Sequence, residues 1–168
     1  MNLAKPVLVV MGVAGCGKST LGLALADRLG WTFKDGDDLH TPAAVAKMRA
    51  GQPLGDLDRA PWLRAVEAWI DACLEQDGGG VITCSALKWA YRDGLAAGRP
   101  WVKFVFIELS PEAAAERIGN RRDHFFPPSL LASQFAALEP PADDESVIRV
   151  DGTLPIATMV DEVAARIG

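Results

Sequence analysis

Residues 12–20 read GVAGCGKST, which fits the pattern GxxxxGK[ST], and this stretch constrains the chain more than any other. The apolar run Val7, Leu8, Val9, Val10 and Met11 precedes it, with the length and composition of a buried parallel strand. After it, Leu21, Ala24, Leu25 and Leu29 recur at helical spacing, and Gly30 supplies a C-terminal stop. Strand, glycine loop and helix therefore come in the order that a polyphosphate-binding loop requires. Gly12, Gly15 and Gly17 allow the backbone amides of Val13, Ala14, Cys16 and their neighbours to curl around phosphate at the positive end of the helix. Lys18 is expected to reach the β- and γ-phosphates and Ser19 to hold Mg²⁺, with Thr20 completing the motif.

A chain of 168 residues with 49% hydrophobic content can bury a core of its own, so one domain over residues 1–168 is expected. A net charge of −5 and a pI near 5.0 argue against general binding to nucleic acid or membrane surfaces and favour small ligands. The sequence shows no secretory leader and no bilayer-length apolar run, so a cytoplasmic protein is expected. Cys16, Cys73 and Cys84 lack CxxC spacing, and only His40 and His124 accompany them, so neither a disulfide nor a zinc site is expected. Cys16 lies in the glycine loop beside a helix N-terminus, which would favour its thiolate and let oxidation or alkylation block nucleotide binding; the plainer alternative is a small residue at a free position of the motif.

Four further strands are predicted at 31–35, 81–85, 101–109 and 146–150, separated by helices at 42–50, 61–76, 88–97, 111–120, 129–138 and 156–167. Alternation of this kind implies an α/β fold, a parallel sheet covered on both faces. The region from Arg117 to Asp144 has little strand signal and reads as a helical lid. Ligands of open α/β sheets gather at the carboxyl ends of strands. Two such ends besides the glycine loop are rich in polar residues: DGDDLH at 35–40 and CSALKWAYRD at 84–93.

Phosphoryl transfer needs phosphate charge neutralised, a metal held and an acceptor hydroxyl placed in line beside a proton-accepting group. Asp35 and Asp37 alternate at the end of the second strand, so Asp35 can serve Mg²⁺ while Asp37 orients or deprotonates the acceptor. The alternative is that this acidic cluster only caps the next helix, Asp38 above all. The third strand runs into Thr83, Cys84 and Ser85 without the usual metal-binding carboxylate, which disfavours a motor or regulatory ATPase, and the absence of NKxD disfavours a GTPase. Arg117 and Arg121 share a helix face, followed by Arg122 and His124, and can meet charge on nucleotide or transferred phosphoryl; a solvated helix end is the plainer alternative. Arg59, Lys88 and Arg92 place positive charge near strand ends and suggest an anionic acceptor, to which Asp37 and His40 add hydrogen-bonding groups.

Taken in order, GVAGCGKST, DGDDLH, KMRAGQPLGDLDRAPWL, CSALKWAYRD and HFFPPSLLASQFAALE resemble the gluconate kinase family over nearly the whole chain. The resemblance implies ATP-dependent phosphorylation of the 6-hydroxyl of D-gluconate, a three-layer fold with strand order 2-3-1-4-5 and a moving lid, and a homodimer. It implies phosphate contacts from residues 12–20, nucleotide or lid contacts from Arg117 and Arg121, and acceptor contacts from Asp37, His40, Lys47, Arg59, Lys88 and Arg92. The loop at 151–155 is similar to the one bordering adenine in related kinases. Thr41, Ala44 and Trp89 depart from the family pattern, which usually has proline, asparagine and a basic residue there. Other readings of the residues are a kinase acting on shikimate, a nucleoside monophosphate or another sugar acid, and a binding module that responds to nucleotide.

Overall fold

In the computed structural model, which describes residues 5–76, 78–120, 128–142 and 147–167, the most buried part of the chain is the strand β1 (Val7–Met11), all five of whose residues have zero exposure. A strand so buried must sit mid-sheet with helices on both faces. It does: β1 pairs in parallel with β3 (Gly80–Thr83) on one side and β4 (Val102–Glu108) on the other. The strands β2 (Thr32–Asp35) and β5 (Val147–Asp151) form the edges, also parallel, giving the order β2-β3-β1-β4-β5. That is the expected order.

Side chains alternate across β1, so its two faces build two cores. Leu8 and Val10 pack with Leu21 and Leu25 of α1 (Lys18–Leu29), Met159 and Val163 of α7 (Ile156–Ile167), and Leu131 of α6 (Pro128–Ala137). Val7, Val9 and Met11 pack with Trp62, Val66 and Ile70 of α3 (Asp56–Glu75) and Leu95 of α4 (Trp89–Ala96). Each such side chain contributes roughly 1.5–3 kcal/mol of burial, and the sum holds the carboxyl ends of the strands in fixed register. The helices α2 (Pro42–Arg49) and α5 (Pro111–Asn120) complete the fold. Among the described residues no helix is long and apolar enough to cross a membrane.

The strand boundaries lie within two residues of those expected, whereas α3 differs more. Its expected start at Pro61 assumed proline in the first turn, but the helix begins five residues earlier, at Asp56. The Asp58 carboxylate accepts the Gly55 N–H at 2.9 Å and caps the new start. Pro61 then sits inside the helix, where it deprives the carbonyl of Leu57, a residue 91% exposed, of its usual N–H partner. The early start carries Asp56, Asp58 and Arg59 on a rigid helix.

Gly36 follows β2 and opens a short 3-10 turn, Gly36–Leu39. A Cβ at Gly36 would lie 1.8 Å from the Thr83 carbonyl oxygen, so any side chain there pushes the turn off β3. Gly36→Ala is expected to lower stability by ~1–3 kcal/mol, read as a shift in the urea midpoint at unchanged slope. A wild-type midpoint would show that the turn moves freely.

Candidate active site

The glycine loop is drawn over the end of β1 by its own backbone bonds. Gly12 N–H donates to Ser85 O and Cys16 N–H to Val13 O, both at 3.3 Å. Gly15 has φ +80°, and a Cβ there would meet Ile118 Cγ1 at 2.7 Å, so both the left-handed backbone and the α5 side chain above it require glycine. Lys18 Nζ donates to Gly12 O at 3.0 Å and Val13 O at 3.1 Å, which folds the ammonium back across the first half of the loop.

Cys16 does not support the thiolate reading. It is fully buried, and burial raises its thiol pKa more than Lys18, Arg117 and the local backbone N–H groups lower it. The helix terminus therefore does not produce a reactive thiolate, because the sulfur packs inward between Gly12 and the core. Burial likewise pushes Cys84 up to about 12.

Asp35 sits where strand ends converge. One carboxylate oxygen, Oδ2, accepts the Ser19 hydroxyl at 3.0 Å; the other, Oδ1, accepts the Asp37 N–H at 3.0 Å and the Thr83 hydroxyl at 3.1 Å. Thr83 Oγ1 in turn accepts the Gly36 N–H at 3.0 Å. The parallel register sets this up by placing Asp35 level with Thr83 and Thr83 level with Val10. Thr83, at the place of the missing third-strand carboxylate, thus orients the carboxylate of the neighbouring strand. Capping of the 3-10 turn falls to Asp35, and capping of α2 to Thr41, whose Oγ1 accepts the Ala44 N–H at 3.1 Å; Asp38 accepts no capping bond.

A cavity of about 470 Å³ joins the loop to the acidic turn. Ala14, Gly15, Gly17, Lys18 and Ser19 line one side, and Asp35, Asp37, Asp38, His40 and Arg59 line the other. His40 stacks on Trp62 with ring centroids 4.3 Å apart and planes 17° from parallel, and the Trp62 indole N–H donates to Gly36 O at 2.7 Å. Burial depresses the His40 pKa, against Asp37 and with Arg59, so the imidazole is neutral at pH 7. Its Nδ1 is buried without a hydrogen-bond partner among the described residues.

Other expected contacts lie elsewhere. Gly12, Val13, Cys16 and Thr20 belong to the loop and its helix but do not line the cavity. Lys47 is paired with Asp58 at 2.8 Å and straps α2 to α3. Lys88 is paired with Asp56 at 3.0 Å, and Asp56 also accepts the Tyr91 hydroxyl. Arg92 is a correction: expected on the acceptor side, it is 2% exposed and donates to Ala86 O, Leu87 O and Glu139 O at 2.9–3.1 Å. It ties the loop after β3 to the end of α6 and offers nothing to the cavity lining. Arg117 donates to Cys16 O at 3.1 Å and to Gly152 O, joining the glycine loop to the 151–155 loop. Arg121, Arg122 and His124, with the 121–127 and 143–144 parts of the expected lid, lie outside the described residues. Of the family departures, Ala44 is buried and Trp89 is exposed, and neither lines the cavity.

Sequence reasoning missed several lining residues: Val45, Met48 and Arg49 of α2, Leu54, Ser85, and Leu130, Ser133 and Gln134 of α6. For Gln134 a signal existed in the SLLASQ stretch, but only the tertiary structure brings α6 to the loop. Arg92→Ala removes a buried donor from Ala86 O and Glu139 O, while Leu87 O keeps the Glu139 N–H, so it is expected to cost ~1–3 kcal/mol of stability, measured by thermal denaturation. Unchanged melting with a raised acceptor KM would return Arg92 to the binding site.

Residues 14–136 match the shikimate kinase family profile. A gluconokinase of Gluconobacter oxydans is 51% identical over 152 residues, covering 90% of this chain and 85% of that protein. The thermosensitive gluconokinase of Escherichia coli is 39% identical over 161 residues, covering 95% and 86%. The crystal structure of a gluconokinase from Sinorhizobium meliloti superposes with a TM-score of 0.87 at 41% identity, covering 98% of this chain and 92% of that one. With identity of this order along nearly its whole length, and a glycine loop facing an acidic turn across one cavity, the chain belongs to the gluconokinase family, within the wider shikimate kinase group.

Proposed function

We propose that this protein transfers the terminal phosphoryl group of ATP to the 6-hydroxyl of D-gluconate, yielding ADP and 6-phospho-D-gluconate. The observation that carries this reading is the single cavity in which phosphate-loop residues and the Asp37, His40 and Arg59 side chains meet. An in-line transfer needs donor and acceptor within one water-poor space, and two separate clefts would not serve.

In this reading the loop amides and Lys18 take the β- and γ-phosphates, so Lys18 exchanges its bonds to Gly12 O and Val13 O for phosphate oxygens. Ser19 and Asp35 suit Mg²⁺. Asp35 accepts the hydrogen bond of the Ser19 hydroxyl, which leaves the Ser19 oxygen lone pairs free for a cation. An ion held here by so few protein groups would be completed by phosphate oxygens and water. Bound there, Mg²⁺ would neutralise charge on the phosphates. Asp37 accepts the proton of the sugar-acid hydroxyl as that oxygen bonds to phosphorus and the bond to ADP breaks. Arg59, a cavity-lining cation whose guanidinium carbon lies 5.9 Å from the Tyr91 ring centroid, faces the acceptor carboxylate. Neutral His40, held flat by Trp62, hydrogen-bonds the polyol chain. Cytoplasmic residence and assembly as a homodimer belong to the same proposal.

A coupled assay of ADP release with gluconate, shikimate, nucleoside monophosphates and other sugar acids tests the assignment, and gluconate is expected to show the highest kcat/KM. Preference for another acceptor overturns it, and nucleotide binding without any transfer would favour a binding module. Asp37→Asn is expected to lower kcat by about 10²–10⁴-fold while ATP affinity stays near wild type. Normal turnover by that variant would move the proton-accepting role elsewhere.

A further inference from the structure

Gln134 is 120 residues from the glycine loop in sequence, yet its Oε1 accepts the Ala14 N–H at 2.6 Å. The partner determines which end of the carboxamide faces where. A backbone N–H demands an acceptor, so the oxygen turns to the loop and the NH₂ group, with two donors, turns away from it. Gln134 lines the cavity, and its side chain makes no other hydrogen bond among the described residues.

Lys18 holds the other edge of the same peptide. Val13 C=O and Ala14 N–H belong to one peptide unit; Lys18 Nζ holds the carbonyl at 3.1 Å and Gln134 holds the amide. The two side chains therefore bracket the same peptide from opposite edges, at the part of the loop that the lysine ammonium reaches. A helix anchored at both sides of the contact holds Gln134 there. Leu130 and Leu131 are buried, and beyond the helix the Glu139 N–H donates to Leu87 O at 2.8 Å while Glu139 O accepts from the buried Arg92 at 2.9 Å. Arg92, expected to touch the acceptor, acts instead on the helix that carries Gln134.

We propose that Gln134 is a further catalytic residue, its carboxamide spanning the glycine loop and the phosphoryl group in transfer, with Oε1 on Ala14 and Nε2 donating to a phosphoryl oxygen. The proposal rests on the phosphotransferase reading above and deepens it. A neutral donor there adds to Lys18 without a second charge and keeps the loop in its bound shape while the group passes.

Two near-isosteric variants separate this role from a structural one. Gln134→Glu keeps the acceptor for Ala14 but loses the donor, whereas Gln134→Met loses both. Both are expected to lower kcat about 10²-fold or more, with smaller changes in acceptor KM, and Gln134→Glu is expected to melt like the wild type. As the pH falls toward the carboxyl range near ~4.3, protonation restores a donor, so the kcat of Gln134→Glu relative to wild type should rise. Wild-type kcat in Gln134→Glu with loss only in Gln134→Met would reduce Gln134 to a loop buttress and overturn the proposal. A raised gluconate KM at unchanged kcat would overturn it in favour of acceptor binding. The variants are compared on whichever acceptor the wild type phosphorylates, so failure with gluconate alone sinks the substrate assignment and leaves the Gln134 comparison intact.

Discussion

The Asp35 carboxylate, held by three donors from three segments, is the interaction on which the site depends. Ser19 comes from the start of α1, Thr83 from the end of β3 and the Asp37 N–H from the turn after β2. Each bond to an ionised group is worth more than a neutral one, about 1.5–3 kcal/mol. Together they set the distance between the nucleotide-facing loop and the acceptor-facing turn. The sheet makes this convergence cheap, because parallel register already places Asp35, Thr83 and Val10 in one row. Only the side chains have then to be oriented.

A second constraint is aromatic. Trp62 is 1% exposed, donates to Gly36 O and stacks on His40, so one indole fixes both the backbone beneath Asp37 and the ring beside it. It stands on α3, one residue past Pro61. The same helix presents Arg59 to the cavity and sends Asp56 and Asp58 to pair with Lys88 and Lys47. Of three charges that look interchangeable along the chain, Arg59 thus faces the cavity while Lys47 and Lys88 fasten surrounding elements.

Much of the fold was legible because its signals are local. An apolar run of five residues, a glycine loop and a 3.6-residue repeat specify strand, turn and helix without distant information, and β1, α5 and α7 have the boundaries expected. Asp35 and Ser19 were each singled out in the sequence, but their hydrogen bond to one another is a product of the fold. Arg92 was misread because burial cannot be seen in a single charged residue: CSALKWAYRD presents Lys88 and Arg92 alike, but only Arg92 is sealed under the loop after β3. The thiolate alternative for Cys16 fails for a related reason, as proximity to a helix N-terminus predicts a thiolate only if the sulfur meets solvent.

By itself, the sequence determined the glycine-loop motif, the succession of strands and helices and the acidic stretch after β2, because each rests on a pattern among residues close along the chain. The tertiary structure alone decided which cations reach the cavity, that Thr83 steers Asp35, and that Gln134 meets Ala14. Those outcomes depend on how helices far apart in sequence dock on the two faces of the sheet, and docking is set by the summed packing of both cores rather than by any short motif.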